Sequence, residues 1–254
     1  MFGYRKKVVF NNLRKSFPEK SEAEIRKIAK GFYRQFCDFI VESIKSLTIS
    51  ANAIKKRCRF QNPEYLQTII NQNRSIIGVL GHFGNWEWAA PSFCFSFGIP
   101  LYVVYNPLSN KYFDELMFKT RSKFGPKLIP MQTAAKEMFK NRTELNTTIL
   151  VADQTPHPDN AYWMEFMNQD TPVLKGPEIL AKKFNLSVVF VSVRKVKRGY
   201  YEIYTELITE NPLELKEGQL TILHTKKLEE EIKRQPELWL WSHKRWKHVR
   251  NSKL

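Results

Sequence analysis

The chain is short of acidic residues. Asp and Glu number 25 against 41 Lys and Arg, which leaves a formal charge of +16 over 254 residues. An excess of that size needs an anionic counterpart: nucleic acid, lipid headgroups or an acidic protein. Cysteine is also scarce. Cys37, Cys58 and Cys94 match neither a disulfide framework nor a zinc-ligand spacing, and their odd number suits a reducing compartment. The one uncharged run of that length, residues 88–110, is broken by Pro91, Gly98 and Pro100, so no continuous apolar stretch reaches the roughly 18 residues that span a bilayer. The residues after Met1 turn basic at once (Arg5, Lys6, Lys7), unlike a secretory leader. The expectation is a chain that does not cross a membrane. G-x-S-x-G, P-loop and H-E-x-x-H motifs are missing, which removes the serine hydrolase, nucleotide hydrolase and zinc protease signatures. Internal repeats and low-complexity tracts are missing as well.

What is present is a substantial core. Hydrophobic residues make up 43% of the chain and aromatic residues 13%, enough for one large domain or one domain with a helical appendage. Residues 1–74 read as a helical, membrane-proximal segment. Ser21-Glu22-Ala23-Glu24 is a capping box opening an amphipathic run to about Leu47, and Pro63 starts a further helix. From Ser75 onward, short apolar strands alternate with helices: strands at 75–80, 101–105, 127–130 and 147–151, helices at 86–97, 109–124, 133–141 and from Gly176. Two strands around Lys197-Arg198-Gly199 then read as an antiparallel pair, and a helix from about Leu220 to Arg234 precedes a basic aromatic tail. This alternation predicts an α/β fold over 75–254, with a central, mostly parallel mixed sheet flanked by helices.

The informative segment is Gly81-His82-Phe83-Gly84-Asn85-Trp86-Glu87. A buried strand runs into His82, a glycine-bearing turn follows, and a helix starts near Trp86. Ligands of open α/β sheets bind beyond the carboxyl ends of the strands, so His82 stands where chemistry is expected. Glu87, in the first helical turn, is expected to fold back onto the imidazole, fixing its tautomer and making it a general base. Gly81 and Gly84 are expected to leave turn amides free for an oxyanion. A hydrogen-bonded structural histidine and a glutamate favoured by the helix dipole remain open alternatives.

These residues, with several other blocks, resemble the bacterial lipid A biosynthesis acyltransferases and their lysophospholipid acyltransferase relatives. His82 to Glu87 is similar to the H-x4-D/E signature. Tyr4-Arg5-Lys6-Lys7, Arg121 within Lys119-Thr120-Arg121-Ser122, Ala152-Asp153-Gln154, Thr171-Pro172 through Gly176-Pro177-Glu178, and Trp241-Ser242-His243-Lys244-Arg245-Trp246 resemble the other blocks in order and spacing. Two features depart from the family: the membrane-spanning helix usual before Tyr4 is not in this sequence, and Phe166-Met167-Asn168-Gln169 stands where an F-F-G-like segment is usual.

The resemblance implies a glycerolipid acyltransferase-like fold and direct acyl transfer, with His82 as base oriented by Glu87 and no acylated residue. It implies an acyl carrier protein or coenzyme A thioester as donor, a lipid acceptor, no metal and no other cofactor. Gly84, Asn85, Arg121, Asp153, Gln154, Glu178, His243 and Arg245 are expected among the substrate contacts. Structural roles stay open: a surface arginine for Arg121, a turn or cap for Asp153-Gln154, a helix start for Glu178, and packing beside Trp239 and Trp241 for His243. His157, His224 and His248 have no spacing partner and are expected in solvent.

Two basic clusters are expected to meet an anionic membrane surface, on the cytoplasmic face of the bacterial inner membrane. One is Lys55, Lys56, Arg57 and Arg59. The other is Lys244, Arg245, Lys247, Arg250 and Lys253, interleaved with Trp239, Trp241 and Trp246 at headgroup level. Alternatives are transfer to a lysophospholipid or lyso-aminolipid, a non-catalytic membrane scaffold, and a nucleic-acid-binding protein. No nucleic acid is expected as partner, because helix-turn-helix, zinc and RNA-recognition signatures are missing.

Overall fold

A computed structural model describes residues 3–250. Lys253 of the terminal basic cluster lies outside them. Chain order begins with α1 (Lys6–Ser16), α2 (Glu22–Lys45), α3 (Ala51–Arg57), β1 (Cys58–Phe60) and α4 (Pro63–Asn71). Then β2 (Ile76–Leu80), α5 (Trp86–Ser96), β3 (Leu101–Tyr105), α6 (Lys111–Ser122), β4 (Lys127–Pro130), α7 (Ala134–Lys140) and β5 (Thr147–Val151) alternate. A hairpin of β6 (Ala161–Phe166) and β7 (Gln169–Leu174) follows, then α8 (Gly176–Phe184), β8 (Ser187–Lys197), β9 (Tyr200–Thr209) and α9 (Gln219–Arg234).

Seven strands form one mixed sheet in the order β1-β9-β8-β2-β5-β3-β4. Pairing is parallel throughout except between β8 and β9. The expected α/β class and the antiparallel last pair are both present. The central strand β2 is buried at all five positions, the continuous apolar run of a strand covered on both faces. The capping box also forms: Ser21 accepts from the Glu24 amide while the Glu24 carboxylate accepts from the Ser21 amide.

Three local readings need correction. Residues 1–74 are not helical throughout, because Cys58–Phe60 adds an edge strand parallel to β9. Three residues are too few to show a two-residue period. The β6–β7 hairpin has no counterpart in the sequence reading: Ala161 to Met164 are all half-buried, so hydrophobic and polar positions do not alternate. The terminal tryptophans do not sit at a surface. Trp239 and Trp241 are buried, in a core that also takes Val9 and Leu13 of α1, Ile25 and Phe32 of α2, and Ile232 of α9. Trp246 packs on that core and donates its indole N–H to Thr171.

The two ends of the described chain are tied together. Asn12 donates to the carbonyls of Trp241 and His243, and Arg5 donates to that of Ser242. Among the described residues, no helix is long and apolar enough to cross a membrane.

Candidate active site

The site follows from sheet register. β2 and β5 are parallel neighbours, with Leu80 opposite Val151. Each chain runs two residues further, and the Ala152 amide donates to the Leu80 carbonyl. His82 and Asp153 therefore leave adjacent strand ends at the same level. The Asp153 carboxylate meets the His82 ring at 2.6 Å, Oδ1 to Nδ1. Its other oxygen accepts from the His82 amide at 2.9 Å and from the Trp239 indole at 2.8 Å. A side chain on Gly81 would strike Leu228 and crowd Asp153, so the close approach requires glycine there. Gly84 has a positive φ of 64°, and a Cβ would collide with the Val193 carbonyl.

This pairing sets the imidazole chemistry. The carboxylate fixes the proton on Nδ1 and leaves the lone pair on Nε2. Burial by itself would lower the His82 pKa, but the Asp153 charge and hydrogen bond, helped by the Glu87 charge, raise it above the ordinary imidazole value. Burial would likewise raise the Asp153 pKa. The His82 charge and the three donors override it and hold the carboxyl down to about 2.

Glu87 is not the residue that orients His82. Its two oxygens take Arg121 in a bidentate pair, 2.6 Å to Nη2 and 2.9 Å to Nε. The physical reason is position. Glu87 lies on α5 facing α6, whereas the end of β5 lies beside the imidazole. Trp86 abuts the imidazole, its ring edge-on to His82 at 5.0 Å and stacked on Phe39. The expected free turn amides are also taken. Those of His82, Phe83 and Gly84 donate to Asp153, to the Gly81 carbonyl and to the Leu238 carbonyl.

With that geometry in place, comparison with protein families gives a match over residues 2–248 to the one described as Bacterial lipid A biosynthesis acyltransferase. The chain belongs to that family. Comparison with curated proteins finds no match. Membership supports an acyltransferase of lipid A, and hence lipopolysaccharide, biosynthesis, in a family of membrane-associated enzymes.

In this acyltransferase the remaining expected site residues are spread more widely. Asn85 is buried, with its oxygen accepting from the Trp88 amide and its nitrogen donating to Glu42, so its side chain is occupied as the cap of α5. Gln154 is exposed beside Asp153. Glu178 is engaged away from His82: its oxygens accept from the Gly218 and Thr221 amides and the Thr221 hydroxyl at the start of α9. His243 accepts from the Thr155 amide, and burial pushes its pKa down to about 4, so the ring is neutral. Arg245 is not on a basic surface but 1% exposed. His224, expected in solvent, is buried.

Sequence reasoning missed the support from α2. Its inner face is apolar at Ile25, Ala29 and Phe32 and then turns polar at Gln35, Asp38, Glu42 and Ser46, all buried. Glu42 accepts from Asn85 and from the Tyr201 hydroxyl, and Ser46 accepts from the Trp88 indole. The continued three- and four-residue spacing was the available signal: polar residues on a core-facing stripe must find buried partners.

Proposed function

We propose that this chain moves a fatty acyl group from an acyl thioester, carried by acyl carrier protein or coenzyme A, to a hydroxyl of a lipid A precursor. The observation that carries this reading is the 2.6 Å bond between His82 Nδ1 and Asp153, which leaves Nε2 basic at the end of the sheet. The acceptor hydroxyl gives its proton to Nε2 as its oxygen attacks the thioester carbonyl. Asp153 balances the imidazolium that forms. The new C–O bond is kept, the C–S bond breaks, and the thiolate recovers the proton from His82. Arg121, held flat by Glu87, is the nearby cation for negative charge on the donor, the acceptor or the developing oxyanion.

Purified protein and His82→Ala, given an acyl thioester and a lipid A precursor, test this directly. Turnover should fall roughly 10²–10⁴-fold with the thermal melt unchanged, and near-normal transfer by the variant would refute the role. Mass spectrometry of lipids from cells lacking the protein identifies the acceptor: one acyl chain missing from lipid A supports the assignment, and one missing from a phospholipid reassigns it.

The membrane-facing surface we assign is the rim of the cleft between α2, α5 and α6, not the C-terminal tail. Glu87, Arg121, Met117 and Phe124 line that cleft. Around it Val41, Ile44, Tyr112, Phe113 and Leu116 are exposed, with Tyr112 at 88%. Lys45, Lys111 and Lys119 are exposed along the same helices. Apolar side chains fringed by lysine suit an anionic leaflet. Tyr112→Ser with Phe113→Ser should weaken sedimentation with phosphatidylglycerol vesicles several-fold. Unchanged binding would exclude this face.

A further inference from the structure

A small interior cavity lies against Asp153 and is lined also by His224 and Arg245, with Leu80, Phe166 and Leu228 as apolar wall. Arg245 is 1% exposed and His224 3%. The Arg245 Nε and Nη1 and the His224 Nε2 have no hydrogen-bond partner among the described protein groups. Unpaired buried polar groups are rare and costly, and the residues that carry these line one space. Their chemistry is complementary. Arg245 is cationic and only donates. The Thr225 hydroxyl donates to the Thr221 carbonyl, so it accepts from His224 Nδ1–H, which leaves His224 Nε2 as an acceptor. Asp153 has a carboxylate's roughly four acceptor positions, of which His82 (ring and amide) and Trp239 use three.

We infer that this cavity binds a single water molecule that accepts from Arg245 and donates to His224 Nε2 and Asp153, making Arg245 a positioning residue for the Asp153–His82 pair. The site has room for about one water, and buried waters make two to four such bonds. A small anion does not fit, because it has no proton to give His224 and would be repelled by Asp153. The consequence reaches His82. Its charged and titratable neighbours are Asp153 after β5, Glu87 on α5, Arg121 on α6 and His243 in the C-terminal segment. Arg245 acts on Asp153 from behind and tempers the pull of that carboxylate on the imidazole proton. The inference deepens the reading of His82 as base.

Nuclear magnetic resonance tests it without turnover. In wild-type protein, the Arg245 Nε–H should show cross-relaxation to a long-lived water. With only five histidines in the chain, the His82 ring can be followed by 15N-histidine labelling and assigned with His82→Gln. Arg245→Met should raise the His82 titration midpoint by on the order of one pH unit, while Arg245→Lys should leave it near the wild-type value. No water signal, or a folded Arg245→Met protein titrating like wild type, overturns the inference. If Arg245→Met does not fold, the wild-type water signal decides alone. A bound water and a shifted His82 in a protein that transfers no acyl group would sink the proposed reaction and leave this site standing.

Discussion

Two acid–base pairs stand within reach of each other at the end of the sheet, and they are built differently. His82–Asp153 joins two strand ends 71 residues apart, with side chains 19% and 3% exposed. Glu87–Arg121 joins two helices, with side chains 11% and 27% exposed. The first has three protein donors around its carboxylate, so its geometry is fixed before substrate arrives. The second leaves a guanidinium partly open to solvent at a cleft. The inner pair suits proton transfer and the outer pair suits the recognition of charge.

Asp153→Asn separates the two pairs most sharply. It should lower turnover about 10²–10⁴-fold through the wrong histidine tautomer, leaving Michaelis constants much as they were. In the wild type, the rate should rise with pH through a midpoint above the ordinary imidazole value, since His82 works unprotonated and its pKa is raised. Loss of affinity without loss of turnover in Asp153→Asn would reverse the division of labour.

Acid titration of stability contrasts His82 with a second buried histidine. Burial holds the pKa of His224 down to about 4, so it stays neutral when folded while the unfolded chain takes up a proton below about 6.5. The unfolded state then binds more protons, and stability should fall between about pH 6.5 and 4, by on the order of 3 kcal/mol. His82 has the opposite sign: its raised pKa stabilises at low pH, and that contribution fades as pH rises through its folded value. Denaturant midpoints of wild type and His224→Gln across this range measure the difference, and parallel curves would refute it.

Glu87→Gln should have the smallest effect. Losing one charge of a bidentate pair frees Arg121 and should cost roughly 10–100-fold in kcat/KM, mostly through binding. A loss as deep as that of Asp153→Asn would return Glu87 to the imidazole.

The sheet was legible in the sequence because its central strands are continuous apolar runs closed by polar turns, and His82 was legible because it ends one of them. Its partner was not, since nothing local says that β5 rather than β3 lies beside β2. That order is a product of crossover topology, and Glu87 five residues away was the nearer carboxylate in sequence only. The 239–247 segment misled for a related reason. Basic and aromatic residues interleave in it as they do at a membrane surface, yet Asn12 and Arg5 hold its carbonyls and draw the indoles inside. On α6 the reverse occurs: Tyr112 and Phe113 belong to an ordinary amphipathic helix with no layer packed over them.

The indole of Trp239 and the carbonyl of Leu238 complete the His82 loop from a segment that follows the last strand of the sheet. During translation, a nascent polypeptide that has already made every strand of the sheet still lacks these contacts. The sheet can therefore assemble before Trp239 emerges, so the locking of the histidine is a later event than the pairing of the strands that carry it.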